Sequence, residues 1–163
     1  MIVFGVDPGT AITGYGIIRE TQNSDLEMVD CGVIRTSAEL SDWVRLQQLF
    51  EKISELLTLH RPDCGAVEKL FFQQNVSTAL SVGQARGVLL LAMANSGLLI
   101  GEYTPLQVKQ AVVGYGKAEK AQVQKMVATL LHLSYIPSPD DAADALAVGI
   151  CHLSSQKMIG LTQ

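Results

Sequence analysis

Near residue 40 the spacing of apolar side chains changes. Before it, residues 2–7, 13–20 and 26–35 are short segments rich in Ile and Val, separated by Gly, Asn and Asp. That is the pattern of three strands joined by hairpins. After it, "ELSDWVRLQQLFEKISELLTLH" places Trp43, Leu46, Leu49, Phe50, Ile53, Leu56 and Leu57 three and four residues apart, along one face of a helix. Ser41 or Asp42 is placed to cap it and Arg61-Pro62 to stop it. The switch from period two to period 3.6 puts strands and helices in one chain.

Beyond Pro62 strands and helices alternate. "DCGAVEKL" reads as a fourth strand and "NVSTALSVGQARGVLLLAMANSG" as a long helix from Asn75 to Gly97. "LLIGEYT" is a fifth strand, and Pro105 opens the short helix "PLQVKQAVV". The loop "GYGKAEK" leads to the helix "KAQVQKMVATLLHL". After the proline-punctuated "SYIPSPD" comes a last helix, "DDAADALAVGICHLSS", with Ser138 or Asp140 as its cap. The order predicts an α/β fold: a five-stranded mixed sheet, with a three-strand antiparallel meander plus two parallel strands, flanked by helices. Right-handed crossovers set the fourth and fifth strands parallel to the first. Sites in such sheets form beyond the carboxyl ends of the strands. At 163 residues and 48% hydrophobic, the expectation is one domain over residues 1–163, its last few residues disordered.

Two acids stand at those carboxyl ends. Asp7 closes the apolar run "MIVFGVD", and Glu68 is the lone acid of "CGAVEKL". Asp141 and Asp144 are three apart on a helix of small residues, so they share a face, and Ala and Gly let that helix lie close to the sheet. Singly, each acid has an ordinary explanation. Asp7 could start a turn, Glu68 could pair with Lys69 or Arg86, and first-turn acids favour a helix dipole. Asp140 reads as just such a dipole residue. Together the four would repel and raise one another's pKa values, a cost that a hard divalent cation removes. Two ions about 3.5–4 Å apart can stabilise both oxygens of a phosphoryl displacement. No Ser-His-Asp set is apparent. His60, His132 and His152 all fall on predicted helices, as core or surface residues.

Charge adds a weaker signal. The net charge is −4, which suggests no nucleic-acid partner for the molecule as a whole. Residues 61–125, however, carry 7 basic and 4 acidic side chains, against 4 and 9 in residues 1–60. Its lysines cluster at 109–125, a lean toward a phosphate-bearing partner. Three scattered cysteines without CxxC point to reduced thiols in a cytoplasmic protein, not to a disulfide frame or zinc site. No leader pattern and no membrane-length apolar run is visible.

Four blocks then resemble one family. "GVDPGTAITGYG", "VEKLFFQQNVSTALSVGQARGV", "YTPLQVKQAVVGYGKAEKAQVQKMV" and "DAADALAVGICH" are similar, in order, to the RuvC family of Holliday-junction resolvases, from residue 2 to about 153. The resemblance implies a ribonuclease-H-like fold, a homodimer and paired, symmetric nicking of four-way DNA junctions in recombination and repair. It also implies a RuvA–RuvB branch-migration complex as partner. The family's acidic tetrad falls on Asp7, Glu68, Asp141 and Asp144, which makes them catalytic metal ligands. The fourth is His in some members, and the all-oxygen set here favours two Mg²⁺, with Mn²⁺ as a substitute. DNA-contacting lysines fall on Lys109 and Lys120, and the aromatic at the junction centre on Phe71, beside Phe72. Two consecutive rings cannot both enter one core from a regular strand, so either one is exposed and able to stack on bases or both pack under the loop, and the resemblance favours the first. The Gly14-Tyr15-Gly16 hairpin is expected to let substrate backbone approach, since Gly lacks Cβ. The long apolar helix is a candidate dimer face, or else is buried entirely by flanking helices.

The same residues admit three rival readings. Another ribonuclease-H-like nuclease would share the acids but not the "LFFQQN" and "QVKQAVVGYGKAEK" blocks. An actin-like ATPase would need a second lobe and a second phosphate loop. A non-catalytic junction-binding module would not need all four acids.

Overall fold

The central strand of the sheet is the most apolar one. In the computed structural model, which describes residues 1–69 and 76–161, β1 (Ile2–Asp7) pairs antiparallel with β2 (Ile12–Glu20) on one side. On the other it pairs parallel with β4 (Cys64–Glu68). β3 (Leu26–Arg35) extends the meander and β5 (Leu99–Tyr103) lies parallel to β4, giving the order β3-β2-β1-β4-β5. This is the mixed sheet expected from the sequence, with both crossover strands parallel to the first.

Alternation along the strands splits the interior into two cores. Val3, Ile18 and Ala66 point to one face, where α3 (Pro105–Val113), α4 (Lys120–Leu130) and α5 (Asp140–Leu161) pack. Phe4, Val6, Ile17 and Val67 point to the other, under α1 (Asp42–His60) and α2 (Val76–Asn95). Leu89 and Met93 of α2 are fully buried there. Truncating either to Ala would cost about 2–5 kcal/mol.

Helix ends follow local chemistry, with some departures from expectation. Ser41 holds the N-cap position of α1 without a side-chain bond, and Arg61, left-handed at φ 46°, closes the helix before Pro62. Thr104 and Gln107 form a reciprocal capping box on α3. α4 stops at Leu130, short of the predicted end. His132 lies outside the helix with φ 55°, and Leu133 N–H donates to Ala128 O at 2.8 Å. That is the left-handed stop usually given to Gly. His60 ends α1, 3.2 Å from the Asp30 carboxylate, while His152 is buried with Nδ1 2.9 Å from the Tyr103 hydroxyl. Among the described residues no helix is long and apolar enough to cross a membrane.

Candidate active site

Asp7 and Glu68 end adjacent parallel strands at the same edge, one step beyond the Val6–Val67 pair. Each is fixed by its neighbours. Thr13, itself buried, donates its hydroxyl proton to Gly9 O at 2.6 Å and holds the turn after Asp7. After Glu68, Lys69 N–H donates to Tyr103 O at 2.7 Å, and Arg86 Nε donates to Glu68 O at 3.4 Å. The Arg86 guanidinium pairs with Glu102, so it holds the Glu68 main chain and leaves the Glu68 carboxylate free of this pairing. Sequence offers Arg86 only as an alternative partner of the Glu68 carboxylate, whereas it bonds the main chain, and it marks Thr13 only as a Thr among apolar strand residues.

The other two acids arrive by a different route. Asp7 pairs across the sheet with Gly14, and a Cβ on Gly14 would collide with the main-chain carbonyl of Asp141. A Cβ on Gly16 would stand 2.8 Å from Leu146 N. These glycines therefore admit α5, not substrate as the sequence suggested: the space they leave is already filled by helix backbone at Gly14 and by the backbone and side chain of Leu146 at Gly16. Ala142, Ala143, Ala145 and Ala147 are all buried, so the first turns of α5 lie against β1 and β2. Asp141 thus comes to rest over Asp7's own strand partner.

The electrostatics record the crowding. Burial, then the charges of Glu68, Asp144 and Asp141, push the Asp7 carboxyl up to about 7, and Lys120 opposes them. Burial and Asp144 raise Glu68, while Lys109 pulls it back. Burial raises Asp144, and its bond to Lys120 works against that. Lys120 Nζ lies 3.1 Å from Asp144 Oδ2 and 3.2 Å from Asp140 Oδ2. Burial alone would lower Lys120; the two carboxylates more than reverse this. Glu68, Lys109, Lys120 and Asp144 line one open cleft of about 240 Å³. The structure thus gathers the four acids and both lysines at one edge. Phe71 lies outside the described residues. Asp140, expected to cap or complement its own helix, instead turns both carboxylate oxygens to α4, accepting from Gln124 Nε2 at 3.0 Å as well as from Lys120.

The donor set suits a hard cation. Asp7 is held on the edge of neutrality by burial and by three like charges, and an ammonium already pairs with Asp144. Both are features a divalent ion would relieve. Among the described residues no three His, Cys, Asp or Glu side chains stand together closely enough to hold a metal ion. Mg²⁺ keeps several waters and is held through one or two carboxylates, a demand that a pair of these acids meets.

A sheet in this order, with acids ending its first and fourth strands and two more on a helix laid across it, defines the ribonuclease-H-like class. Residues 3–152 match the family described as Crossover junction endodeoxyribonuclease RuvC. The chain is 57% identical over 152 residues to the crossover junction endodeoxyribonuclease RuvC of Pelotomaculum thermopropionicum, covering 93% of this chain and 92% of that one. It superposes on RuvC of Thermus thermophilus with a TM-score of 0.90 at 34% identity, over 97% and 96% of the two chains. A second T. thermophilus RuvC structure, in complex with Holliday junction substrate, gives 0.89 at 32% identity, again over 97% and 96%. The chain belongs to the RuvC family.

Proposed function

We propose that the chain is a structure-selective endodeoxyribonuclease that resolves four-way DNA junctions by paired, symmetric nicks, and that residues 1–163 act as one nuclease domain in the cytoplasm. The observation that carries this is the meeting of Asp7, Glu68, Asp141 and Asp144 with Lys109 and Lys120 at one sheet edge. Support comes from the family and from the T. thermophilus structure bound to a junction.

The four acids would hold Mg²⁺, with Mn²⁺ as a substitute; two such ions, when bound, supply positive charge to the attacking and leaving oxygens of the displacement. The chain's residues do the rest. β1 and β4 fix Asp7 and Glu68 as rigid strand ends. Lys109 and Lys120 draw the scissile phosphate into the cleft between α3, α4 and the acids. Water adds to phosphorus, the bond to the 3′ oxygen breaks, and that oxygen takes a proton, leaving 5′-phosphate and 3′-hydroxyl ends. Phe71 would stack on bases opened at the crossover, a sequence-tolerant contact.

Two like nicks call for two sites related by a two-fold axis, which an isologous dimer supplies. α2 offers the patch: Leu80 and Leu91, on the same side of the helix, are 66% and 54% exposed. The RuvA–RuvB branch-migration complex would deliver the junction. The test is direct. With Mg²⁺, the protein is incubated with a synthetic four-way junction, a linear duplex and an RNA–DNA hybrid, and the nicks are mapped. Symmetric nicks in the junction alone are expected, with Asp7→Asn binding but not cutting. Preferential cutting of the hybrid would overturn the reading in favour of another ribonuclease-H-like activity.

A further inference from the structure

Lys120 occupies an unfavourable place. It is the first residue of α4, where the helix dipole disfavours a cation. Asp140 is likewise the first residue of α5, with Asp144 one turn on; Gln124 is one turn on from Lys120. The two helix starts face each other, and their i, i+4 pairs interlock: Lys120 to Asp144 and Asp140, Gln124 to Asp140. Asp140 is exposed, yet it spends both oxygens on α4 rather than on its own helix.

We infer that Asp140 is a positioning residue for Lys120, keeping the ammonium at the rim of the cleft when Asp144 turns to a cation. This rests on the proposed nuclease site. An ammonium has three donors, and the two carboxylates use two, which leaves one for a phosphate oxygen. Once Asp144 serves a divalent ion, repulsion would drive Lys120 out of the cleft unless a second carboxylate holds it. Asp140 is that carboxylate, and Gln124 orients it. If Asp140 merely added negative charge to a DNA-facing surface, its removal would tighten junction binding and leave turnover alone. If it positions Lys120, its removal slows turnover without weakening binding.

The experiment is a double-mutant cycle on the full chain: wild type, Asp140→Asn, Lys120→Ala and the pair. Cleavage of a four-way junction is followed in single turnover at saturating enzyme with Mg²⁺. Junction affinity and melting temperature are measured in EDTA. Asp140→Asn should cut about three- to fivefold more slowly, the scale set by one exposed ion pair. Its EDTA affinity should be equal or tighter, Asp140→Glu should recover most of the rate, and Asp140→Asn should have no further effect in Lys120→Ala. In the metal-free melts the two substitutions should be non-additive. A wild-type rate for Asp140→Asn, or the same slowing with and without Lys120, overturns the inference. Asp7→Asn is the control. If it still cuts, the reading of the site falls and this inference with it; if it is inactive while Asp140→Asn is unimpaired, this inference alone falls.

Discussion

Replacing Asp7 with Asn should stabilise the metal-free protein while abolishing cleavage. The folded Asp7 carboxyl titrates near 7, against an ordinary 3.8. The folded state therefore holds its proton more tightly than the unfolded chain does. The sign is the reverse of a salt-bridged acid: the stabilisation is complete below about pH 4 and is lost as the pH climbs through 7. Above both values the ionised, crowded carboxylate costs about 4 kcal/mol. Asn has nearly the same shape and no charge to lose. Its buried amide recovers fewer contacts with water, so a net gain of about 2–4 kcal/mol at pH 8 is expected. Urea unfolding in EDTA at pH 5, 6.5 and 8 reads this directly, provided the slope with denaturant is common to both proteins. The two curves should converge toward acid pH and diverge toward pH 8. An Asn variant equal to or less stable than wild type at pH 8, or a gap that does not move with pH, would refute the account of the cluster.

Saturating Mg²⁺ should raise the wild-type melting temperature by mass action, and by less in Asp144→Asn; coincident melts with EDTA and Mg²⁺ would count against a cation site. Lys109→Ala should weaken junction binding alike across sequences and lower the salt slope by about one, whereas a loss confined to one sequence would contradict a phosphate contact. Gly14→Ala, which sets a methyl group against the Asp141 carbonyl, should cost about 1–3 kcal/mol or more and displace the acids together, so that stability and cleavage fall in step. Leu80→Arg with Leu91→Arg should convert a dimer to a monomer in sedimentation and remove paired nicking; an undisturbed dimer would exclude the α2 face.

Asp7 and Glu68 could be read from sequence because each is an acid stranded in an apolar run, and strand direction carries both to one edge. The strand directions were legible for a similar reason: crossovers of fixed hand set β4 and β5 parallel to β1. Asp141 and Asp144 were legible through their spacing. Gly14 was not. A glycine announces that something comes close, but whether it is helix backbone or substrate depends on where residue 141 travels, over a hundred positions later. His132 hid the end of α4 because the left-handed stop there is set by backbone closure, with no Gly to mark it. Asp140 was hidden by a sound local rule, since an acid in a first turn has a reason to be there without any partner on another helix.

The contact of α5 with Gly5, Gly14 and Gly16 has a consequence for how such a chain can drift. At Gly5 and Gly14 main chain rests on main chain, while Leu146 packs on Gly16 and the side chains of Ile18 and Val3 reach Gly149. Exchanges of Val for Ile or Leu for Met in the core under α1 and α2 can tilt those helices, which sit on side chains, whereas the approach at Gly5 and Gly14 has no side chain to swell or shrink. The separation of Asp7 from Asp141 is thus set there by a ruler rather than a spring, and it holds while the opposite core is rewritten.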